Sequence, residues 1–514
     1  MLSKIESYGL NGLQGFGVQV EVDVSGGLPA YDTVGLPDAA VRESRERVRA
    51  AIRNSGFTYP MQRVTINLAP ADLKKEGSIY DLPIAIGILT AMGQVPAQEA
   101  AGYVFLGELA LDGGVRGIAG ILPMLISAGE AGARQAMLPA ENAGEASFIA
   151  GVKTVAIDSL GQAVRILRGE EPAKACERAP WQSAAPHPGM DFADIKGQQG
   201  AKRAAEVAAA GGHNLLLVGT PGSGKTMLAR RIPSILPTLS FEEALEITKI
   251  HSIVGAVKGA NTIATERPFR APHHTASTVS LVGGGSKALP GEVSLAHYGV
   301  LFLDELPEFP KEAIEALRQP LEDGTVTITR ASSRATYPAD FMLIAAMNPC
   351  PCGNFGSRLS RCRCAPAQIN RYRGKISGPM LDRVDLHVEM SEVGYGDIVS
   401  KSTGESSTVI RARVNAAREL QRRRYANEGI LFNAQLSGKQ IRRFCRIDAQ
   451  GEALLKRAFD ALKLSARAYD RIMKVSRTIA DLEGSEFILA QHISEAVQYR
   501  SLDQKYWGGG SGGK

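Results

Sequence analysis

The stretch "NLLLVGTPGSGKTMLARRI", residues 214–232, constrains the fold more than any other segment of this chain. Asn214 to Val218 read as a short buried strand. The strand runs into Gly219-Thr220-Pro221-Gly222-Ser223-Gly224-Lys225-Thr226 and then a helix. The spacing G-x-x-x-x-G-K-[ST] in a strand–loop–helix setting predicts a phosphate-binding loop. Its glycines let backbone N–H groups turn inward around phosphate oxygens, and the helix N-terminus adds positive potential. Lys225 is expected to reach the β and γ phosphates of a nucleotide, and the Thr226 hydroxyl to hold Mg²⁺. A chance glycine-rich turn would lack the strand before it and the helix after it.

About eighty residues on, "GVLFLDELPEF" sets four apolar residues before Asp304 and Glu305. A buried parallel strand ending in two acids places them where ligands collect in such sheets. Asp304 is expected to orient Mg²⁺ through water, and Glu305 to polarise an attacking water. A third strand, "FMLIAAMNP", ends at Asn348, whose amide would help position that water. Alone, this Asn reads equally as a turn former before Pro; the ordered series Lys225, Asp304–Glu305, Asn348 is what gives it a role.

That series, with "RAPHHTAS", "GEVSLAHYGVLFLDEL", "AAMNPCPCG" and "GPMLDRVDLHVE", resembles the AAA+ ATPases, and more narrowly their magnesium-chelatase-like and MCM-helicase-like branch. The resemblance covers residues 1–507. It implies a cytoplasmic, ring-forming ATP hydrolase, a hexamer, with ATP and Mg²⁺ as cofactors. The implied partners are single-stranded or branched DNA and recombination proteins, with no membrane. The implied work is helicase-type branch migration in homologous recombination during natural transformation. By the same resemblance Arg383, in "LDRVDLH", stands where the branch has its arginine finger, acting on a neighbouring subunit. Arg467, in "LSARAYDRIMKVSRTIADL", matches the second sensor arginine; Arg471 and Lys474 on the same helix face read as a solvated basic face. The alternative is a magnesium-chelatase-type motor acting on a separate metal-inserting subunit.

Two regions are candidates for touching DNA. "TVTITRASSRATYP" reads as a hairpin with Arg330 and Arg334 flanking its tip. In the related helicases a hairpin at this place points into the central pore, whereas the residues alone fit an edge hairpin with solvated arginines equally well. A second inserted segment, "RPFRAPHHTASTVSLVGGGSKALPG", ends in glycines and Lys287 and offers another pore loop. Its His273 and His274 read as structural for want of a partner cysteine or acid motif.

The other region follows Asn348. Four of the six cysteines are Cys350, Cys352, Cys362 and Cys364, and between Cys350 and Lys375 stand Arg358, Arg361, Arg363, Arg371, Arg373 and Lys375 with no acid. Four thiolates at this spacing suit a structural, tetrahedral Zn²⁺, although C-x-C is tighter than the common C-x₂-C. Free thiols and a redox switch are the other readings. A metal would pin the basic loop into a DNA-facing shape, with Arg358, Arg361 and Arg363 as contacts.

At the N-terminal end, "VTINLAPADLKKEGSIYDLPIAIGIL" and "LGELALDGGVRGIAGILPMLISAGEAGARQAMLP" resemble the proteolytic domain of Lon protease. In that family a nucleophilic Ser lies two residues after the glycine and a Lys in the later helix. Ile79 and Met124 stand at those positions, and neither can attack or activate. Only an unorthodox pairing of Ser78 with Lys74 or Lys75 would restore the chemistry. A scaffold for ring assembly or a DNA-binding collar is expected instead.

The whole is therefore expected to be a multidomain α/β protein. A Lon-protease-like domain spans 1–168, a Pro- and Ala-rich linker 169–190, an AAA+ core 191–395 and a helical lid 396–507. Residues 508–514 read as a flexible linker outside the fold. No apolar run is long enough for a membrane helix, and the start lacks a secretory signal's apolar core. Few, clustered cysteines suit a reducing compartment. Residues 401–514 carry 21 Lys+Arg against 12 Asp+Glu, so the other 400 residues carry 38 against 41. A net of +9 on the C-terminal segment fits polyanion contact or solvated helix faces alike.

Overall fold

The computed structural model describes residues 1–507 except 178–179, 185–188, 258–262, 286, 330–333, 393, 395–398, 400–403 and 463. These residues form two compact units. The first holds 1–182, 241–265 and 327–337, and the second holds the other described residues.

A seven-stranded mixed sheet carries the first unit. Its order is Ala30–Val34, Arg63–Ala69, Gln14–Ser25, Leu2–Asn11, Val104–Phe105, Gln135–Pro139, Lys153–Ile157. Leu2–Asn11 and Gln14–Ser25 pair antiparallel from Leu2↔Asp23 to Asn11↔Gln14. The alternation in "VQVEVDV" buries Val18, Val20, Val22 and Val24 on one face, as a half-buried strand requires. Helix Asp81–Ala91 is apolar from Leu82 to Leu89 and is buried at every position but Thr90. The segment 241–265 joins this unit through helix Phe241–Ile253. Ser252 accepts from the Gly120 amide through its carbonyl at 2.9 Å and donates its hydroxyl to Glu145 at 2.8 Å.

A five-stranded, wholly parallel sheet carries the second unit, in the order Phe269–Arg270, Val300–Leu303, Met342–Met347, Leu215–Gly219, Leu386–Met390. Every residue of Val300–Leu303, Met342–Met347 and Leu215–Gly219 is buried. Burial on both faces explains why these strands read as continuous apolar runs without alternation. The two neighbours of Leu215–Gly219 both come from later in the chain, so the order reverses there. The crevice at its C-terminal end is where such a sheet takes a ligand.

Helices Ser407–Arg424 and Ala466–Leu482 pack against helix Gln199–Gly211 in one core that includes Val207, Val414, Ile472, Leu215 and Ile344. The segment after residue 403 thus shares its core with the sheet. Much of its basic surplus is structural. Arg424 and Arg477 both grip the buried Asp481, Arg418 donates to the Ala209 carbonyl beneath Phe432, and Arg413 joins Glu206 and Glu405. Neither polyanion contact nor solvated helix faces account for these arginines. No described helix is long and apolar enough to cross a membrane.

Candidate active site

Three adjacent parallel strands end side by side and deliver the chemistry. In the loop after Leu215–Gly219, Gly222 (φ +77°) and Gly224 (φ +90°) occupy the left-handed region that favours glycine. Gly219 admits no side chain, because a Cβ there would lie 2.7 Å from the Met390 carbonyl oxygen. Lys225 begins helix Lys225–Arg231. Its Nζ donates to the Gly219 and Thr220 carbonyls at 2.7 and 2.9 Å and to Asn348 Oδ1 at 3.2 Å. Burial holds its pKa below the usual lysine value, although Asp304 and Glu305 pull the other way.

Thr226 Oγ1 donates to Asp304 Oδ2 at 2.7 Å. These two adjacent oxygens are a donor set for a hard divalent cation such as Mg²⁺. The loop also fits a phosphate. Thr220 Oγ1 and Ser223 Oγ are buried with no hydrogen-bond partner among the described residues. Buried hydroxyls left so are costly, and phosphate oxygens would satisfy them.

Glu305 leaves the acidic strand in the left-handed region (φ +53°), a strained backbone for a non-glycine residue. Its amide donates to Asp304 Oδ1 at 2.9 Å, while its half-exposed carboxylate lies 3.5 Å from His274 Nδ1. His274 packs against His273 with ring centroids 4.1 Å apart and the planes tilted by 34°. Read as structural in the sequence, His274 is therefore a neighbour of the candidate base. Two further residues carry no motif of their own. Gln198 Nε2 donates to the Ser223 carbonyl at 3.1 Å and to the Ser391 carbonyl at 2.5 Å. The Tyr372 hydroxyl bonds to the Asn348 backbone. Their only sequence signal is nearness to the motifs.

Arg383 and Arg467 stand apart from this cluster. Arg383 donates to the Arg318 and Pro379 carbonyls at 3.2 and 2.5 Å and pairs with Glu322. Arg467 is exposed, 3.4 Å from Asp382. Among the described residues neither bonds to Lys225, Asp304, Glu305 or Asn348. Arg471 and Lys474, expected to be a solvated face, are largely buried. Arg471 pairs with Asp382 and Asp385, and Lys474 donates to the Ala434 carbonyl at 2.8 Å.

Asp385 anchors this region, with His213 Nδ1 at 3.2 Å and the Asn214 amide at 3.3 Å. Asn214 in turn holds the Arg383 carbonyl and the Leu343 amide, both at 2.8 Å. Burial alone would raise the Asp385 pKa, but His213, Arg471 and Lys474 outweigh it and hold it at about 2. Its folded value lies below its unfolded one, so its contribution is present above about pH 4 and lost as pH falls through 2, roughly 2 kcal/mol. Asp385→Asn is expected to remove that acid limb and cost about 3 kcal/mol at neutral pH, read from denaturant midpoints across pH.

The four cysteines converge, with all sulfurs within 4.8 Å of one another, so the cluster can hold a metal. Arg358, Arg361 and Arg363 are exposed around it. Arg373, counted among the basic loop residues, is instead buried between the Phe355 and Tyr506 rings, donating to the Pro349 carbonyl at 3.0 Å. Strands Thr325–Thr329 and Arg334–Pro338 form the hairpin, with Arg334 exposed; Arg330 lies outside the described residues. The insertion carrying Lys287 forms a short helix, Thr278–Val282, and the strand pair Gly283–Gly284 and Leu289–Pro290. In the first unit Ser78 bonds to Glu108, Lys74 to Glu76 at 2.6 Å, and Lys75 to the Pro70 and Leu73 carbonyls. Ile79 packs against the apolar core and Met124 is wholly buried. No Ser–Lys dyad is assembled from these residues.

Three family models match the chain: "Magnesium chelatase, subunit ChlI" over 191–398, "Subunit ChlI of Mg-chelatase" over 20–142, and "Magnesium chelatase, subunit ChlI C-terminal" over 404–500. The chain is 46% identical over 490 residues to "Uncharacterized protein YifB" of Escherichia coli, covering 95% of this chain and 94% of that one. It is 44% identical over 495 residues to "Competence protein ComM" of Haemophilus influenzae, covering 96% of both. It is also 44% identical over 500 residues to "Uncharacterized protein Rv2897c" of Mycobacterium tuberculosis, covering 97% of this chain and 98% of that one. With its phosphate loop and acidic strand end on one parallel sheet, the chain belongs to the magnesium chelatase subunit ChlI family of AAA+ ATPases, in the branch that includes competence protein ComM.

Proposed function

We propose that this protein is an ATP-driven DNA motor that moves branched DNA during recombination. The convergence of Lys225, Thr226, Asp304, Glu305 and Asn348 at the ends of three neighbouring strands carries the ATPase part of this reading. Glu305 accepts the proton of the attacking water, while the Asn348 amide orients that water toward the γ-phosphate. Lys225 exchanges carbonyl partners for phosphate oxygens and offsets the charge that develops on them. Thr226 and Asp304 would hold Mg²⁺, which when bound neutralises phosphate charge.

The DNA part is supported by exposed arginines on two separate loops, at Arg334 and at Arg358, Arg361 and Arg363. One relative is named a competence protein, which is consistent with this reading. In this reading the protein acts as a homo-oligomeric ring, a hexamer, with each ATP completed by the next subunit's Arg383. The first unit, in which Ser78, Lys74 and Lys75 assemble no dyad, serves as scaffold or collar.

Replacing both Arg330 and Arg334 by Ala is expected to weaken single-stranded DNA binding and to reduce the slope of log K against log salt by about 1.4. Titrations at several salt concentrations measure this. Unaltered affinity would return both residues to a solvated hairpin. The family models keep one other reading in view, a motor for a separate metal-inserting subunit; ATP hydrolysis indifferent to DNA would favour it.

A further inference from the structure

The cysteine loop has a geometry of its own. Two C-x-C pairs separated by nine residues fold together, with Cys350–Cys352, Cys350–Cys362 and Cys352–Cys362 Sγ distances of 3.5, 3.7 and 3.6 Å. A disulfide brings sulfurs to about 2.0 Å, and all four cysteines are unpaired thiols. Four sulfurs bound at about 2.3 Å to one ion at tetrahedral corners stand about 3.8 Å apart. The three edges among Cys350, Cys352 and Cys362 match that tetrahedron, and Cys364 Sγ lies within 4.8 Å of each of them.

Backbone amides reach two of the four sulfurs. The Phe355 amide donates to Cys350 Sγ at 3.3 Å, and the amides of Asn354 and Arg363 point at Cys352. Such bonds orient and stabilise metal-bound sulfur. Four thiolates and one divalent ion leave a net charge of −2, since −4 is offset by +2. Arg358, Arg361, Arg363, Arg371 and Lys375 are exposed nearby, with no acid in 350–375.

The loop also touches the phosphate loop. Gly353 is left-handed (φ +80°), and a Cβ on it would lie 2.6 Å from Cγ and Cδ of Pro221. Two residues before Cys350, Asn348 accepts from Lys225. We propose that Cys350, Cys352, Cys362 and Cys364 bind one Zn²⁺, and that the metal braces the phosphate loop by holding Gly353 against Pro221. The second half rests on the nucleotide reading above; the first does not.

Metal analysis of the full chain, purified without chelators or a metal-affinity column, is expected to find about one zinc per chain. Co²⁺ exchanged into the wild-type protein should show the visible and charge-transfer bands of a tetrahedral tetrathiolate. The double variant Cys352→Ser, Cys364→Ser should lose zinc at least about tenfold. Gly353→Ala should keep its zinc but bind ATP about tenfold more weakly, because both its φ and its contact with Pro221 are violated. Iron in place of zinc, or metal-free protein that takes up neither Zn²⁺ nor Co²⁺, would overturn the site. Full zinc with unchanged ATP affinity in Gly353→Ala would overturn the brace. A wild-type chain that holds zinc yet binds no ATP would support the site and overturn the nucleotide reading instead.

Discussion

Arg383→Ala is expected to lower kcat for ATP hydrolysis by about 10³–10⁵, the range for losing a finger supplied by a neighbour. In its own chain Arg383 is held by Glu322 and by the Arg318 and Pro379 carbonyls, away from Lys225 and Glu305. Its backbone hangs on Asn214, at the base of the phosphate-loop strand. That mounting leaves the Arg383 side chain only 10% exposed beside the exposed Glu322, so a finger acting across subunits would exchange Glu322 for a second subunit's phosphates. The loss should therefore be repaired by mixing. An Arg383→Ala chain has an intact Glu305, and a Glu305→Gln chain has an intact Arg383. Mixed rings should hydrolyse ATP well above either variant alone. Mixtures no better than the two separate variants would contradict a role across subunits.

Glu305→Gln is expected to lower kcat by about 10²–10⁴ while leaving ATP binding within a few-fold. The amide keeps the shape of the side chain but cannot take the proton of the attacking water. Lys225, Thr226 and the buried hydroxyls of Thr220 and Ser223 are untouched by the change. Single-turnover hydrolysis alongside an equilibrium binding titration separates the two effects. Equal losses in both would mean that Glu305 holds the nucleotide rather than the water.

The phosphate loop was legible because its chemistry is local: glycine spacing, a strand before it and a helix after it all lie within nineteen residues. Asp304–Glu305 and Asn348 were legible as ends of apolar runs, since strands buried on both faces read as such in any context. The parallel sheet does the rest by aligning those ends. What stayed hidden depends on meetings across the chain. His274 reaches Glu305 from thirty-one positions away, and Gln198 reaches Ser391 across 193. Neither spacing leaves a pattern.

Charge misled for a related reason. Arg373, Arg424 and Arg477 count as surface cations in composition, yet each is engaged by rings, carbonyls or a buried acid. Helix periodicity could not show this at Arg471 and Lys474, because their partners Asp382, Asp385 and Ala434 come from other elements. The cysteine spacing, by contrast, anticipated a cluster that the folded loop closes to within 4.8 Å.

Branch movement on a labelled four-way or three-stranded DNA junction, with Glu305→Gln as control, tests the motor directly. ATP-dependent strand displacement by the wild-type protein, lost in Glu305→Gln, is the predicted result. A wild-type protein that hydrolyses ATP, gains no rate from DNA and moves no junction would contradict it.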